Sequence, residues 1–383
     1  MVKKIKKIVL TGGPCAGKSS ALAKLIVKLT QLGYKVIIVP EAASELINNG
    51  ISIGPAGIDP VTFQKTIMKL QILRELIYEE AALKMTQENV VLICDRGAID
   101  NQAYCSKEEF AEVVASLKDT QSITRLVETL SQSVASIGDS YDAVFHLKTA
   151  ADGAEEFYTL DNNQARSESP ELARELDIKT LNAWTGHSHL RVVDNSTNFK
   201  VKLSRLTEHV YKFLGLPVPI EIERKFLVRM PDLAELVSKY NAQKIDILQT
   251  YLTSNDPDEE ARVRQRGQSG EYTYFFTKKR SMTNMSRVET GGRITPQQYL
   301  ELLMTADTSL KPVRKERYCF VSDNQYFELD VYPFWGDYAI LELELTQENQ
   351  IITIPHFIEE VREVTDDLSF RNCAIAKEVP RIN

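Results

Sequence analysis

The spacing of apolar positions divides the chain into two halves with different periodicity. In the first half, short apolar runs of β type, namely IKKIVLTGG, KVIIVPEAA, VVLICDRG, YDAVFHLKT and LRVVDNS, alternate with long helical patterns. Strands that alternate with helices are typical of a parallel sheet covered by helices. We therefore predict an α/β domain with a parallel sheet over residues 1–216.

Capping signals place three helices of this half. The first is predicted to begin at Lys18 and to end at Leu32, just before a glycine. A second amphipathic stretch runs over residues 60–88, with Asp59 as its N-cap and a proline in its first turn. The third begins after the S-x-x-E capping box that opens at Ser106.

The second half has strict period-two alternation, which indicates strands with one apolar and one polar face. A short stiff connector with Pro217 and Pro219 separates it from the first half. The strand patterns are EIERKFLV, ARVRQRG, EYTYFFTKK, SRVETGG, KERYCFV, QYFELDVY and AILELELT, and TPQQYLELLMTA is helical. We predict a mostly antiparallel α+β domain over residues 217–383.

Composition supports two soluble domains. A chain of 383 residues exceeds what one core usually organises, and 43% hydrophobic with 26% charged residues is ordinary for globular proteins. The net charge of -7 argues against a nucleic-acid partner. No apolar run approaches the length of a membrane span or a signal-peptide core, so we expect a cytoplasmic protein without a membrane partner.

Cysteine usage agrees with a reducing compartment. The five cysteines are odd in number, widely scattered and never form a C-x-x-C pair. Neither a disulfide framework nor a zinc site is predicted.

The segment GGPCAGKSS carries the strongest motif of the first half. Its glycines and the Lys-Ser pair match the phosphate-loop pattern G-x-x-x-x-G-K-[ST], between a strand and a helix. Backbone N–H groups at such a helix start surround a β- or γ-phosphate. We predict that Lys18 contacts the phosphates of ATP or GTP and that Ser19 binds Mg²⁺. The predicted nucleotide-binding residues are Gly12, Gly13, Ala16, Gly17, Lys18, Ser19 and Ser20.

Three further residues are candidates for catalysis beside this loop. Asp95 ends the third strand, where a carboxylate holds magnesium, although it could simply begin a loop. Glu41 ends the second strand and is either a general base, a group that hydrogen-bonds to the ligands of the metal, or a solvated carboxylate. The polar segment 150–177 suits a lid, and its Arg166 is a candidate for stabilising transferred phosphate.

These motifs resemble a known family over about residues 3–215. The phosphate loop, Glu41, the DRG that begins at Asp95 and the Arg-bearing segment before LDIKTLNAW are similar to AAA-type P-loop domains related to nucleoside and nicotinamide riboside kinases. The resemblance implies nucleotide binding but specifies an acceptor poorly. Kinase, ATPase and switch therefore remain open.

The strands of the second half carry charged residues on one face, and in several strands these charges are all of one sign. Residues two apart on a strand share a face, and like charges placed so repel each other unless an opposite charge lies between them. A polar face in water is the alternative, but a triphosphate with divalent metals would satisfy both signs. The sets that share a face are Glu221, Glu223 and Lys225; Arg262, Arg264 and Arg266; Arg287 and Glu289; Lys315 and Arg317; Glu328 and Asp330; and Glu342 and Glu344.

These sets, with the closing VTDDLSFRN, resemble the CYTH domain of triphosphate tunnel metalloenzymes over about residues 220–380. The resemblance implies an eight-stranded antiparallel tunnel in which cations grip a triphosphate and carboxylates hold Mg²⁺ or Mn²⁺. The metal-side candidates it implies are Glu221, Glu223, Asp330, Glu342 and Glu344, of which Glu221 and Glu223 are also catalytic candidates. The phosphate-side candidates are Lys225, Arg262, Arg264, Lys278, Arg287, Lys315 and Arg317.

The sequence thus predicts a two-domain phosphate enzyme whose partners are nucleotides and triphosphate. A P-loop NTPase or kinase-like module precedes a metal-dependent tunnel that hydrolyses triphosphate or nucleoside triphosphates. One alternative is a class IV-type nucleotidyl cyclase in the same tunnel. Another is a nucleotide-controlled module that binds polyphosphate or a phosphorylated ligand without turnover.

Overall fold

A computed structural model describes most of the chain as two compact units, Met1–Thr207 and Glu208–Asn383. The described residues are 5–117, 137–158, 169–216, 220–254, 256, 259–268, 270–281, 286–345 and 351–382. Residues 157, 220, 221, 281 and 286–290 are described by their backbone alone. The predicted boundary after residue 216 follows the last helix of the first half and stays a prediction.

The first unit is built on a five-stranded parallel sheet in the order β2-β3-β1-β4-β5. This arrangement confirms the predicted α/β fold. The strands are β1 Lys6–Thr11, β2 Lys35–Val39, β3 Val90–Asp95, β4 Ala143–Leu147 and β5 Leu190–Val193. The helices are α1 Lys18–Gln31, α2 Ala42–Asn48, α3 Pro60–Lys84, α4 Lys107–Ala115, α5 Pro170–Trp184 and α6 Phe199–Leu214, and a 3₁₀ helix spans Ala98–Tyr104.

The predicted capping interactions are present at the starts of α3 and α4. The Asp59 side chain accepts a hydrogen bond of 2.9 Å from the Thr62 backbone N–H. The Ser106 and Glu109 side chains form the reciprocal capping box that begins α4. Helix α3 ends at Lys84 rather than near residue 88 because Met85 adopts an extended conformation with ψ of 145°.

The second unit is an antiparallel sheet in the order β10-β9-β8-β7-β11-β12-β13-β6-β14. A further pairing of β10 with β6 closes eight of these strands into a tunnel, as predicted, and β14 pairs with the remaining length of β6. The strands are β6 Ile220–Arg229, β7 Gln243–Leu252, β8 Glu259–Gln268, β9 Glu271–Ser281, β10 Ser286–Ile294, β11 Val313–Ser322, β12 Gln325–Val331, β13 Tyr338–Leu345 and β14 Glu360–Glu363. The helices are α7 Leu233–Tyr240, α8 Pro296–Leu303 and α9 Asn372–Lys377.

The tunnel has its main apolar core on the outside. Leu329, Leu341 and Leu343 are buried there with Leu236 of α7, while their strand neighbours with charged side chains point into the lumen. The period of two along each strand separates the two environments. The apolar residues are therefore removed from water by helices and loops, and the charged residues face one another across the lumen.

A second apolar cluster lies on the lumen-facing side of some of the same strands. Leu227, Tyr332 and Ile340 pack with Phe370 and with Ile375 of α9. The C-terminal segment thus covers lumen-facing positions with apolar side chains.

Among the helices that the structure describes, none is both long and apolar enough to cross a membrane.

Candidate functional site

The phosphate loop has a backbone that requires glycine. Gly12 has a φ of 138° and Gly17 a φ of 88°, values that side chains of L-residues rarely adopt. A Cβ atom on Gly12 would lie 2.0 Å from the Leu147 carbonyl oxygen. The loop therefore passes too close to the end of β4 for any residue larger than glycine.

Lys18 lies within this loop. It is 7% exposed, and its Nζ donates hydrogen bonds to the carbonyl oxygens of Gly12, at 3.0 Å, and Gly13, at 3.1 Å. Ser19 follows in the first turn of α1 and lines the cavity beside the loop. The cation and the hydroxyl thus lie where the motif requires them.

Asp177 on α5 supports the loop from behind. Its Oδ1 accepts hydrogen bonds from the backbone N–H groups of Gly13, at 2.8 Å, and Thr149, at 3.1 Å. Burial raises the pKa of Asp177, but the neighbouring His146 and Lys148 outweigh that effect and lower it. Sequence reasoning missed this residue, although it begins the DIKTLNAW run that the resemblance used.

Glu41 is held by a cation. Arg96 Nε donates to its Oε1 at 2.5 Å, and Ser44 Oγ donates to its Oε2 at 2.6 Å. Burial raises the pKa of Glu41, but the charges of Arg96 and Lys18 outweigh burial and hold the pKa at about 2. A carboxylate of this pKa is a weak base. The geometry favours Glu41 as the counter-ion of Arg96 over the general base that was one predicted role.

Asp95 is the better placed carboxylate for a metal. It is paired in register with Leu10 of β1, and its Oδ1 is buried without a hydrogen-bond partner among the described residues. Burial, together with the charge of Glu41, raises its pKa even though Lys18 opposes the change. With Ser19 it offers hard oxygen donors of the kind that suit Mg²⁺ when phosphate and water complete the coordination.

The predicted lid arginine, Arg166, falls outside the described residues. Arg174 in the same segment donates to the Ala151 carbonyl oxygen at 2.6 Å and pairs with Glu171 at 3.2 Å. Arg174 therefore lies on a partly solvated face of α5.

The second candidate site is the tunnel lumen. A cavity of about 70 Å³ there is lined mainly by charged side chains, which come from six strands and the C-terminal segment, and by Gln249 of β7. Seven of the predicted residues come together in it: Glu223, Lys225, Arg262, Arg264, Lys315, Arg317 and Glu342. The cavity is also lined by Glu328, which the sequence placed on the charged face without a role. Its other lining residues, which sequence reasoning did not assign, are Gln249, Glu260, Lys279, Arg371 and Asn372.

Glu342 lies at the centre of the lumen ion pairs. Its two oxygens contact Lys225 Nζ and Arg317 Nη2, the latter at 2.7 Å. Glu223 lies 3.3 Å from the same Lys225. Burial raises the pKa of Glu342, but Lys225, Lys315 and Arg317 outweigh burial and hold it well below its ordinary value. Glu342 is therefore a carboxylate at neutral pH and is shared between two cations.

Asp330, a predicted metal ligand, lies among cations. It is 0% exposed, and both of its oxygens accept hydrogen bonds from Arg317, at 2.6 and 2.7 Å, while Lys315 also contacts it. A carboxylate occupied by two cations in this way is a counter-ion. The geometry thus argues against Asp330 as a metal ligand and places it behind the phosphate-side cations.

The predicted Lys278 is on the wrong face of β9. Its Nζ lies 2.7 Å from Glu259 and its side chain is 44% exposed, whereas the adjacent Lys279 is 5% exposed and lines the lumen. The outer face carries Tyr274 and Phe276, which pack under α8. The two aromatic residues could have shown this from the sequence, because Lys278 follows Phe276 by two residues and therefore lies on the same face of the strand.

The remaining predicted residues are Glu221, Arg287 and Glu344. Glu221 is paired with Arg287 where β6 meets β10, and both side chains lie outside the described part of the structure. Glu344 is paired with Glu223, and its side chain is 27% exposed. Glu221, Glu223, Glu342 and Glu344 thus fall on neighbouring strand positions.

Glu260 and Arg371 were missed for different reasons. Glu260 extends the alternation of Arg262 and Arg264 by one step, so the period of two could have found it. Arg371 comes from the C-terminal segment, and only the folding of that segment against the tunnel brings it to the lumen.

Hard oxygen donors for a metal are present in both sites but are not preassembled. Among the described residues, no group of three or more His, Cys, Asp or Glu side chains is arranged to hold an ion. Glu223 and Glu342 both lie beside Lys225, so a divalent cation would take the place of that ammonium. The donor chemistry fits Mg²⁺ or Mn²⁺ completed by phosphate oxygens.

Comparison with known proteins agrees with this division. A family model for an AAA domain matches residues 7–202, and one for a CYTH domain matches residues 219–368. Among curated proteins none gives a significant match.

Several solved structures are similar to part of the chain. The hypothetical protein NE1496 is 32% identical, over 42% of this chain and 99% of that one, with a TM-score of 0.30. The inorganic triphosphatase NE1496 is 30% identical, over 42% and 97%, with a TM-score of 0.29. The PH1012 protein from Pyrococcus horikoshii OT3 is 22% identical, over 33% and 80%, with a TM-score of 0.26. Since the AAA-domain model spans more than half of its 383 residues, the chain belongs to the AAA-domain family, and a CYTH domain follows that domain.

Proposed function

We propose that the chain is a two-domain phosphate enzyme whose tunnel hydrolyses triphosphate or nucleoside triphosphates with Mg²⁺ or Mn²⁺, and whose P-loop domain binds ATP or GTP. The observation that carries the proposal is the charge of the lumen. Among the described residues that line the tunnel cavity, seven are Lys or Arg and four are Glu. A linear polyanion with bound cations is the ligand class that complements both sets.

The tunnel residues form two groups, one that binds phosphate and one that would hold the metal. Arg262, Arg264 and Arg317 offer guanidinium groups, which bind phosphate oxygens in pairs, and Lys225, Lys279 and Lys315 add point charges. Glu223 and Glu342 would hold the metal, with Glu221 and Glu344 at neighbouring register positions. A bound divalent cation supplies charge neutralisation and polarises phosphate oxygens.

Hydrolysis in this lumen does not call for a covalent nucleophile. Cys319 is buried, and burial raises its pKa to about 12, so its thiolate is scarce at neutral pH. Cations fixed around a triphosphate stabilise the charge that develops as water attacks the terminal phosphorus. The chain thus contributes orientation and electrostatic stabilisation.

In the P-loop domain, Lys18 and the loop N–H groups bind the β- and γ-phosphates. Ser19 and Asp95 hold Mg²⁺ there. Turnover by this domain is either NTP hydrolysis or transfer to a small molecule.

A substrate panel tests the proposal. The full chain is incubated with tripolyphosphate, pyrophosphate, ATP or GTP, with Mg²⁺ or Mn²⁺, and the products are identified. Orthophosphate from tripolyphosphate, lost in Lys315→Ala but retained in Lys311→Ala outside the lumen, is the expected result. Pyrophosphate with a cyclic nucleotide would instead identify a cyclase. Tight binding of tripolyphosphate without any product would identify a binding module.

Binding is measured separately from turnover by thermal unfolding in metal-free buffer. Tripolyphosphate at about 100 times its Kd adds roughly 2.7 kcal/mol to the free energy of unfolding if it binds only the folded protein. Arg264→Ala should diminish the rise in Tm because it removes a paired phosphate contact. An equal rise in this variant and the parent would show that the charged face does not bind the polyanion.

A further inference from the structure

Lys202 lies in the first turn of α6 beside the phosphate loop and is 3% exposed. Its Nζ donates hydrogen bonds to the carbonyl oxygens of Lys148, at 2.6 Å, and Ala16, at 3.2 Å, and to Asn195 Oδ1 at 2.7 Å. We propose that Lys202 is a positioning residue of the nucleotide site, whose ammonium ion fixes the phosphate loop in the shape that binds phosphate. The proposal rests on the proposed nucleotide binding by the P-loop domain.

The start of α6 brings this lysine to the loop. Asn198 caps the helix, because its Oδ1 accepts a hydrogen bond of 3.1 Å from the Val201 backbone N–H. Phe199 packs against the loop, so that a Cβ atom on Gly17 would lie 2.6 Å from its ring. The helix dipole opposes a positive charge in the first turn of a helix. The position of Lys202 is therefore explained by its contacts with the loop and not by the stability of α6.

The carbonyl groups of the loop are held from several sides. Each carbonyl oxygen from Gly12 to Ala16 accepts a hydrogen bond. The donors are Lys18 Nζ for the first two, Thr149 Oγ1 for Pro14, the Ala150 N–H for Cys15 and Lys202 Nζ for Ala16. In a trans peptide group the N–H points opposite to the C=O. Because Lys202 holds the Ala16 carbonyl, it directs the Gly17 N–H away from itself, at a helix start where N–H groups bind anions.

Asp177 holds the same two segments through groups of opposite polarity. It accepts hydrogen bonds from the N–H groups of Gly13 in the loop and Thr149 after β4, whereas Lys202 donates to carbonyl oxygens in the loop and directly after β4. Two buried ions of opposite charge thus tie the loop to the end of β4. Burying charges costs free energy, and apolar residues of similar volume often stabilise a fold as well. Two such ions at one loop therefore indicate a requirement for one particular shape of that loop.

The contacts of Lys202 depend on its proton. An ammonium ion has three N–H donors and Lys202 uses them on three acceptors, whereas a neutral amine keeps two. Burial lowers the pKa of Lys202 to about 8. The charged groups that act on it are Asp177 of α5 and Asp194 after β5, which raise the pKa, and Arg205 of α6 and Lys18 of α1, which lower it. As pH rises through this pKa, the loop should therefore lose one of the hydrogen bonds that shape it.

A nucleotide at the loop should bind together with that proton. Phosphate beside Lys18 offsets the repulsion between the two ammonium groups, so each binding event favours the other. ATP affinity should be greatest below about pH 8, where the free protein already carries the proton. Above that pH it should fall by up to about tenfold per pH unit, until pH reaches the higher pKa that Lys202 has in the complex.

Calorimetric titration of the full chain with ATP and Mg²⁺ tests the proposal. Titrations from about pH 7 to about pH 9.5, each in two buffers of different ionisation enthalpy, give both the affinity and the number of protons taken up. We expect weaker binding above about pH 8 and uptake of a fraction of a proton in that range. An affinity that stays constant over the whole range, without proton uptake, overturns the proposal whatever the variants show.

Lys202→Met keeps the length of the side chain and removes its charge. At about pH 7 it should weaken ATP binding at least about tenfold, because hydrogen bonds from a charged group to the loop are lost. It should also abolish the pH dependence and the proton uptake. Lys200→Met, at an exposed position of the same helix, should behave as the parent. Circular dichroism and thermal unfolding establish that both variants are folded.

The outcomes separate positioning from a merely structural role. A folded Lys202→Met that binds ATP as tightly as the parent overturns the proposal, and so does one whose weaker binding keeps the pH dependence of the parent. If Lys202→Met does not fold, the pH profile of the parent decides. Absence of ATP binding by the parent at every pH instead overturns the proposed nucleotide site.

Discussion

Two adjacent lysines on β9 show how a single backbone step decides the environment of a side chain. Lys278 points outward to Glu259, and Lys279 points into a lumen shared with several cations. Their chemistry is identical, so the pair offers a matched test of the tunnel. Any difference between the two variants reports the position and not the residue type.

Lys279→Ala should weaken tripolyphosphate binding, whereas Lys278→Ala should leave it nearly unchanged. Hydrogen bonds to charged groups contribute about 1.5–3 kcal/mol, which corresponds to roughly a 10–100-fold loss of affinity. Calorimetric titration of both variants with tripolyphosphate measures the effect. Equal losses in the two would mean that neither lysine contacts the ligand directly.

Asp330→Asn should destabilise the empty protein. The change leaves Lys315 and Arg317 buried with less compensation, and breaking a buried pair costs about 3–5 kcal/mol. Tripolyphosphate should restore part of the lost stability because it supplies negative charge. The measurement is urea unfolding with and without the ligand, and Asp366→Asn, at an exposed position, is the control. A stability equal to that of the control would contradict the role of counter-ion.

At the scale of elements, the closed sheet places opposite charges on neighbouring strands. Glu342 on β13 is paired in register with Lys225 on β6, and the cations of β11 contact carboxylates of β12 and β13. Part of the positive charge of the lumen is therefore paired with carboxylates of the protein itself. A triphosphate must therefore compete with these carboxylates for the lumen cations.

This arrangement predicts that metal and tripolyphosphate bind cooperatively. A divalent cation on Glu342 and Glu223 releases Lys225 and Arg317 for phosphate, so each ligand removes a cost of binding the other. Mg²⁺ should raise tripolyphosphate affinity about 5–150-fold, the usual range of such coupling. Glu342→Gln should reduce that factor toward one. Titrations in the presence of Mg²⁺ and of EDTA measure it, and independent binding would refute the exchange.

The ion pair between Glu41, just after β2, and Arg96 predicts a pH dependence of stability. The pKa of Glu41 is about 2 in the folded protein against an ordinary value of 4.5, so its ionised form stabilises the fold. This contribution to the free energy of unfolding is fully present above the pKa of Glu41 in the unfolded chain, and it is lost as pH falls through the pKa of Glu41 in the folded protein. Between about pH 5 and pH 3, Tm should fall less steeply in Glu41→Gln than in the parent. Parallel curves would show that the ion pair with Arg96 does not affect stability.

For the whole molecule, the two sites should be separable. Lys18 lies in the first unit and Arg317 in the second. Lys18→Ala should abolish nucleotide binding at the P-loop and leave the rate of tripolyphosphate hydrolysis within about twofold of the parent. Arg317→Ala should abolish tripolyphosphate hydrolysis and leave nucleotide binding at the P-loop nearly unchanged. Filter binding of ATP and phosphate release from tripolyphosphate are measured on both full-length variants. Loss of both activities in either folded variant would indicate obligatory coupling.

Much of this protein could be predicted from the sequence because its signals are local. The phosphate loop depends on glycines and a Lys-Ser pair within one turn, and caps such as Asp59 and Ser106 act over three or four residues. The period of two assigned most lumen residues correctly, since side chains alternate along any strand. Fold class and domain order followed from these patterns.

Only the tertiary structure decided which charged groups meet. Asp330 contacts cations because β12 is paired with β11. Lys279, and not Lys278, lies in the lumen because the aromatic residues of β9 pack on the outer face under α8. Arg371 reaches the lumen through contacts between segments far apart in the chain. Electrostatic and packing energies depend on distance in space, so no local pattern in the sequence could specify them.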